Sequence, residues 1–152
     1  MRTNARTQNI VFALDSGISF DEAAPAIRAH SCEGYDVHVL SHSDLSDEDV
    51  MRYERLTGNK PRYSVFDERT EDEITHITLA KQADKFIIFP SNSNTSDMLQ
   101  AFVQGLAHTM PTAVYLANRA PIYIYEREIC DTHALDVLKE RDGAQIVPYS
   151  AS

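Results

Sequence analysis

The chain has 152 residues, of which 43% are hydrophobic and 24% charged, and this composition is typical of one globular domain with a full core. Its net charge of −9 argues against binding to a nucleic-acid backbone, because such binders present a basic face. It contains no run of about 18 apolar residues and no apolar signal core near its start, so we expect a cytoplasmic protein.

The first half of the chain is predicted to form two strands, each followed by a helix. Asn9–Leu14 is an apolar run and Asp36–Leu40 alternates, as strands do. A helix from about Asp21 to His30 and another from about Asp47 to Thr57 begin with acidic residues, which suit helix N-termini. Both strands end in turns that contain serine.

The middle of the chain predicts a helix, a buried strand, a polar turn and a second helix in succession. Lys85–Phe89 is short, apolar and bounded by Asp84 and Pro90, which is typical of a central strand in a parallel sheet. Thr95 or Ser96 is suited to cap the following helix. A helix that begins at the carboxyl end of a parallel strand favours an anionic or flavin-like ligand. The alternative is that the serines and asparagines only build a turn.

The last third completes the predicted fold. Thr112–Leu116 is expected to be the next buried strand, with Asn118 at its carboxyl end. Thr132–Arg141 predicts a helix that stops at Gly143, and Gln145–Val147 predicts a last strand. The alternation of strands and helices favours a single open doubly wound α/β domain, Rossmann-like or flavodoxin-like, with five or six parallel strands and helices on both faces.

Two features invite a reading as metal or disulfide sites. The acidic run Asp67–Glu73 offers carboxylates, but no histidine or second cluster has the spacing to complete a metal site, so a solvated loop is expected. Cys32 and Cys130 are isolated and lack metal-ligand spacing, which favours reduced, buried or inert thiols over a disulfide.

Four segments, in this order along the chain, resemble the homo-oligomeric flavin-containing cysteine decarboxylases. They are Tyr53–Asn59 (YERLTGN), His76–Asp84 (HITLAKQAD), Phe89–Thr95 (FPSNSNT) and Gly105–Ala107 (GLA). The family includes phosphopantothenoylcysteine decarboxylase and the peptidyl-cysteine decarboxylases of lanthipeptide and related peptide biosynthesis. The match covers about residues 9 to 148. It implies one FMN-binding domain over residues 1–152, with 1–8 as a flexible tail, and a site completed between subunits of a homotrimer or homododecamer.

The resemblance places FMN against three turns, and the sheet rule predicts that these turns meet at the carboxyl edge of the strands. The implied cofactor-binding residues are Ser16, Gly17, Ser19, Ser43, Pro90, Ser91, Ser93, Asn94 and Thr95. The first turn departs from the family pattern, since Ser16-Gly17 stands where the family has Gly-Ser. A plain strand-to-helix turn is the alternative there. No metal is implied.

Two residues are implied to act on the substrate. His76 stands where the family carries its active-site histidine, and a neutral imidazole suits removal of a proton from a cysteine thiol of pKa about 8.5. Asn118 is the only match to the family's PxMNxxMW motif, and its amide is able to donate hydrogen bonds to a substrate carboxylate. We expect Asn118 at the same edge as the turns. His108 stands where the family's GxAD motif has aspartate.

The activity implied by the resemblance is oxidative decarboxylation. His76 deprotonates the thiol, a hydride leaves the β-carbon for FMN, and the thioaldehyde formed accepts the electrons released as CO2 departs. The aminoenethiol product is a precursor of aminovinyl-cysteine rings, so the C-terminal cysteine of a ribosomally synthesised peptide (a RiPP precursor) is the expected substrate, with other peptide-modifying enzymes as partners.

Three alternatives stay open. The first is phosphopantothenoylcysteine decarboxylase, which the chain's end at Ser152 disfavours, because those enzymes resemble one another in a cysteine-containing C-terminal segment. The second is a non-catalytic flavin-binding or partner-binding subunit, suggested by the altered first turn and by Ala117 and Pro121, which replace the two methionines of the PxMNxxMW motif. A flavodoxin-like electron carrier has only the fold in its favour.

Overall fold

A computed structural model describes residues 7–65 and 76–149. The acidic run Asp67–Glu73, for which a solvated loop was expected, lies outside the described residues, as does most of the tail expected at residues 1–8.

Among residues 7–65 and 76–149, the core of the fold is one parallel sheet of five strands in the order β2-β1-β3-β4-β5. The strands are β1 (Asn9–Leu14), β2 (Asp36–Ser41), β3 (Lys85–Phe89), β4 (Ile122–Tyr125) and β5 (Gln145–Val147). From β1 the chain adds β2 on one side of the sheet and β3 to β5 on the other, so the topological switch point lies between β1 and β3. Open sheets of this kind bind ligands at that point, outside the carboxyl ends of the strands. The predicted doubly wound α/β fold is confirmed.

Six helices in the described ranges cover the two faces of the sheet. They are α1 (Phe20–Cys32), α2 (Asp47–Thr57), α3 (His76–Gln82), α4 (Asp97–Gln104), α5 (Met110–Ala117) and α6 (Thr132–Asp142). Side chains of β1 alternate between the faces, so that Phe12 packs with the α1 and α2 side while Val11 packs with the side of α3 to α6. Strands β1 and β3 are buried on both faces, which explains why both are continuous apolar runs.

The strand predicted at Thr112–Leu116 is wrong, because these residues lie within helix α5. The helix begins with a capping box, in which the Thr109 backbone N–H donates to the Thr112 hydroxyl at 2.9 Å. The first six residues of α5 are buried, so this part of the sequence is mostly apolar without a helical period, and a short apolar run of this kind does not distinguish strand from helix. The fourth strand is Ile122–Tyr125, one element further along the chain.

The YERLTGN segment ends helix α2 and connects it to β2 by hydrogen bonds. Gly58 ends the helix in the left-handed region at φ +81°. The Asn59 side-chain amide then donates to the Asp36 carboxylate at 2.7 Å and to the Val37 carbonyl at 2.9 Å, both at the start of β2. This match to the family therefore has a structural role here, at the amino edge of the sheet.

In the described part of the chain, no helix is long and apolar enough to cross a membrane. The same residues hold no group of three or more histidine, cysteine, aspartate or glutamate side chains that could bind a metal ion. Cys32 and Cys130 are free thiols, as expected, and Cys32 is exposed, so burial, one of the two expected alternatives, does not apply to it.

Three partly buried histidines hold polar contacts inside the fold. His30 lies 3.2 Å from the Tyr125 hydroxyl, His38 lies 3.3 Å from the Asn9 amide oxygen, and His42 lies 3.0 Å from the Thr109 hydroxyl. Burial lowers the pKa of each imidazole below its ordinary value of 6.5, although nearby carboxylates oppose the shift.

We expect the free energy of unfolding to decrease as the pH falls from about 7 to about 5. Above pH 6.5 these histidines are neutral in both the folded and the unfolded chain, whereas below it the unfolded chain takes up protons that the buried rings resist. Urea unfolding at several pH values measures the effect.

His38→Gln should reduce this slope, and the exposed His133→Gln should leave it unchanged. The carboxyls of Asp131 and Asp142 act in a separate, more acidic window, because their pKa values are held below 3.8. A free energy of unfolding that stays constant between about pH 7 and pH 5 would contradict the conclusion that burial lowers the pKa of these histidines.

Candidate functional site

The turns after β1, β2 and β3 lie side by side at the carboxyl edge of the sheet. The Asp15 backbone N–H donates to the Phe89 carbonyl at 3.1 Å, and the His42 backbone N–H donates to the Leu14 carbonyl at 2.9 Å. These bonds join the three strand ends around the switch point between β1 and β3. The structure thus brings together at one edge all the expected cofactor-binding residues: Ser16, Gly17, Ser19, Ser43, Pro90, Ser91, Ser93, Asn94 and Thr95.

The carboxylate of Asp15 links the turns after β1 and β3. It is 2% exposed and accepts hydrogen bonds from the backbone N–H groups of Ser16 at 2.7 Å, Ser91 at 2.9 Å and Met98 at 3.2 Å, and from the Ser96 hydroxyl. Since Met98 lies in the first turn of α4, the side chain of Asp15 occupies the place where this helix would attract an anion. Sequence reasoning missed Asp15, although an acidic residue directly after a buried strand was a usable signal.

A second buried carboxylate, Asp131, supports the same helix start. It is 5% exposed and accepts hydrogen bonds from the Ser96 backbone N–H at 3.1 Å, the Gln100 side chain at 2.9 Å and the Ala134 backbone N–H at 3.2 Å. Burial works to raise the pKa of Asp131, but these hydrogen bonds outweigh it and lower the pKa. Ser96 also caps α4 through the Leu99 backbone N–H, as one of the two expected caps.

The turn after β1 leaves open space at the start of α1. Gly17 has φ +79°, and a Cβ added there would meet no atom within 4 Å. Ser19 caps α1 by accepting from the Glu22 backbone N–H at 3.2 Å. The first turn of α1 carries Asp21, which is exposed, and Glu22, which forms an ion pair with Arg127. The hydroxyl groups of this turn are therefore accompanied by negative charge.

Two histidines lie at the edge beside Ser43. The His42 ring is 5.3 Å from the ring of His108 in an edge-to-face contact, and burial lowers the pKa of His42, with Asp15 opposing the shift, His108 adding to it and Asp97 opposing it. The motif comparison assigned neither histidine a role.

His76 lines a pocket with residues of α3 and α5, and none of the expected cofactor-binding residues lines that pocket. It is the first residue of α3 and is partly buried. Together with Ile77, Ala113 and Leu116 it lines a small, mostly apolar pocket of about 200 Å³ between α3 and α5. Ile77 and Leu116 are 46% and 61% exposed, so this face of the chain presents apolar side chains to its surroundings.

Asn118 does not lie at the carboxyl edge, and the expectation that it joins the turns there is wrong. It follows α5 and opens the short connection to β4, whose Pro121 carbonyl accepts from the Phe86 backbone N–H at 2.9 Å, at the start of β3. The side chain of Asn118 is engaged with Ala120, donating to its carbonyl at 2.9 Å and accepting from its N–H at 3.1 Å. The error follows from taking α5 for a strand, which reversed the chain direction at this point.

Arg127 is the second residue after the true fourth strand. Its side chain is 7% exposed, donates to the Pro90 carbonyl at 2.8 Å and pairs with Glu22. The guanidinium also lies 4.7 Å from the centre of the Phe89 ring and 5.7 Å from that of Tyr149. Sequence reasoning missed this residue because it missed β4.

Comparison with known proteins gives curated relatives by sequence and solved neighbours by fold. No family model matches the chain. It is 32% identical over 112 residues to the probable phosphopantothenoylcysteine decarboxylase of Streptococcus mutans, covering 73% of this chain and 61% of that protein. The structure is similar to the FMN-dependent cysteine decarboxylase SpaF, with a TM-score of 0.68, 20% identity and coverage of 95% of this chain and 85% of that one. It is also similar to the FMN-dependent cysteine decarboxylase TvaF from thioviridamide biosynthesis, with a TM-score of 0.69, 12% identity and coverage of 92% and 89%.

The sequence similarity to the Streptococcus mutans protein agrees with the resemblance that the motifs indicated. The solved neighbours share the fold over almost the whole chain. The chain spans 61% of the length of the Streptococcus mutans protein and about a third of the length of the longer curated relatives that it matches.

Replacing Asp15 by asparagine should lower the free energy of unfolding by about 2–4 kcal/mol, because an amide would turn N–H donors toward backbone donors that need an acceptor. Urea unfolding at neutral pH measures the change. The exposed Asp44→Asn is the matched control and should stay within about 0.5 kcal/mol of the wild type. Equal stability of Asp15→Asn and the wild type would show that the carboxylate does not hold the two turns together.

Proposed function

We propose that the chain is a flavin-dependent cysteine decarboxylase that binds FMN at the carboxyl edge of its sheet. The observation that carries this proposal is the meeting of the polar turns after β1, β2 and β3 at the switch point of the sheet, in a chain whose fold is that of FMN-dependent cysteine decarboxylases. Residues 89–95, which match one of the family's motifs, form the turn after β3.

The donor set of this edge fits FMN. Ser16 and Ser19 would hold the phosphate beside the start of α1, where the open space at Gly17 admits a group close to the backbone. Ser43 would contact the ribityl chain. The flavin ring would contact the turn after β3, whose polar residues include Ser93, Asn94 and Thr95. When bound, FMN supplies the electron acceptor for oxidation of the cysteine β-carbon.

His76 is proposed as the base that takes the thiol proton and returns it to the sulfur of the product. Because His76 lies on the α3 and α5 face, it would reach the turns of a neighbouring subunit, which favours a homo-oligomeric site. The exposure of Ile77, Leu106 and Leu116 supports a subunit contact, since exposed apolar side chains of this size mark interaction surfaces. Homotrimer and homododecamer are the proposed states.

The proposed substrate is the C-terminal cysteine of a ribosomally synthesised peptide, converted to an aminoenethiol. The structural similarity to SpaF and to TvaF, which acts in thioviridamide biosynthesis, supports this choice. Phosphopantothenoylcysteine is the second candidate, and the sequence identity with the Streptococcus mutans protein favours it. Both substrates carry a cysteine with a free carboxylate and an amide-linked amino group, so one site chemistry serves either.

Incubation of the FMN-loaded protein with peptides that end in cysteine should produce a mass loss of about 46 Da, the mass of CO2 and two hydrogens. Phosphopantothenoylcysteine turned over without net oxidation would instead lose about 44 Da, the mass of CO2 alone. Mass spectrometry separates the two outcomes. His76→Asn should abolish the loss, and the exposed His133→Asn should retain it.

If the flavin-loaded protein changes neither kind of substrate, the non-catalytic flavin-binding or partner-binding subunit becomes the better description. If His76→Asn retains full activity, the base lies elsewhere in the site.

Asp21→Asn should tighten FMN binding about two- to fivefold, because it removes an exposed carboxylate from the first turn of the helix proposed to face the phosphate. Quenching of FMN fluorescence on titration measures the affinity. Glu140→Gln, an exposed change of the same charge on α6, should leave the affinity unchanged. Equal affinities for Asp21→Asn and the wild type would place the phosphate away from α1.

A further inference from the structure

The ion pair between Arg127 and Glu22 lies at the carboxyl edge of the sheet and joins three elements. Arg127 comes from the segment after β4, Glu22 from the first turn of α1, and the Pro90 carbonyl from the end of β3. The guanidinium is shielded by the rings of Phe89 and Tyr149. A guanidinium has more N–H donors than these two partners use, and its planar fork matches the two oxygens of a carboxylate or a phosphate.

The two partners differ in how firmly they are held. The side chain of Arg127 is 7% exposed, whereas that of Glu22 is 34% exposed. Arg127 therefore keeps its place through the aromatic rings and the Pro90 carbonyl, and Glu22 has a path to solvent. The helix backbone around Glu22 is also anchored independently, because the Tyr149 hydroxyl donates to the Glu22 carbonyl at 2.7 Å.

Glu22 has a second hydrogen-bonding position close by. Ser19 and Glu22 have the S-x-x-E spacing of a capping box, and half of that box is formed, since the Glu22 backbone N–H donates to the Ser19 hydroxyl at 3.2 Å. In a complete box the glutamate side chain accepts from the backbone N–H of the cap residue. A rotation of Glu22 away from Arg127 thus exchanges one set of favourable contacts for another.

We propose that Arg127 is the receptor for an anionic group of the bound ligand, and that Glu22 occupies its guanidinium until that group displaces the carboxylate. The inference rests on the proposed function in assigning the anion to either the substrate carboxylate or the FMN phosphate. Because Asn118 does not lie at the carboxyl edge, another group is needed there to hold a carboxylate, and Arg127 is able to do so.

The two members of the pair should then change anion binding in opposite directions. Arg127→Lys should weaken binding of the anionic group about tenfold, because an ammonium does not reproduce the forked contact. Glu22→Gln should strengthen it about threefold or more, because it removes the charged competitor. A structural ion pair predicts a different result, in which both variants lose stability and neither gains affinity.

The experiment measures equilibrium binding in the full-length chain with three probes. Binding of FMN is measured by fluorescence quenching. Binding of a cysteine-ending peptide, as free acid and as C-terminal amide, is measured by calorimetry. Binding of inorganic phosphate is measured by intrinsic tyrosine fluorescence. Glu48→Gln is the matched control, because Glu48 pairs with Arg52 within α2 and is 73% exposed. Unfolding midpoints are recorded for every variant.

Opposite shifts for the free-acid peptide but not its amide identify the substrate carboxylate as the ligand, and opposite shifts for FMN and inorganic phosphate identify the phosphate. If the wild type binds no FMN, the proposed function fails, while the peptide and phosphate arms still test Arg127. Affinities that are unchanged, or that fall in both variants for every probe, would overturn the inference and leave the pair as a structural contact.

Discussion

The architecture of the candidate site depends on one buried carboxylate. A charged group taken out of water is strongly unfavourable unless its lone pairs are satisfied, and Asp15 meets this condition only when the turns after β1 and β3 and the start of α4 converge on it. The same hydrogen bonds determine where Ser91 and Ser96 lie. Through the Ser96 backbone N–H the network continues to Asp131 and the start of α6. The geometry of the crevice is thus fixed by electrostatics, on a sheet held by apolar packing.

This arrangement changes what the crevice is able to bind. The anion-binding position at the start of α4 is filled by the protein's own carboxylate, so an external phosphate is left with the start of α1 and with Arg127. Neutral parts of a ligand meet hydroxyl and amide groups in the turn at residues 90–95. A flavin nucleotide, with one phosphate at one end and a neutral ring at the other, has this distribution of charge.

The elements that sequence predicted well are those whose pattern is local. Strands β1 and β3 are apolar runs bounded by polar residues, and helix α2 has both an acidic first turn and a glycine stop, so their limits follow from short-range chemistry. The prediction failed at helix α5 because its first six residues are all buried and mostly apolar, which removes the helical period. One misassigned element reversed the chain direction after it, and this moved Asn118 to the wrong edge and hid Arg127. Contacts such as that of Asp15 with Ser96 join residues far apart in sequence, so the local sequence does not show which partner each residue has.

A chain with a net charge of −9 that binds an anionic ligand needs its favourable charges close to the ligand. Beyond about 8–10 Å salt screens the repulsion from the distant carboxylates, so the contacts of the crevice decide the binding free energy. The crevice supplies backbone N–H groups, hydroxyls and one buried guanidinium, and the last of these is already neutralised by Glu22. Whether an anionic ligand meets an unpaired positive charge on Arg127 therefore depends on how readily Glu22 moves away. This dependence couples anion binding to the capping of α1.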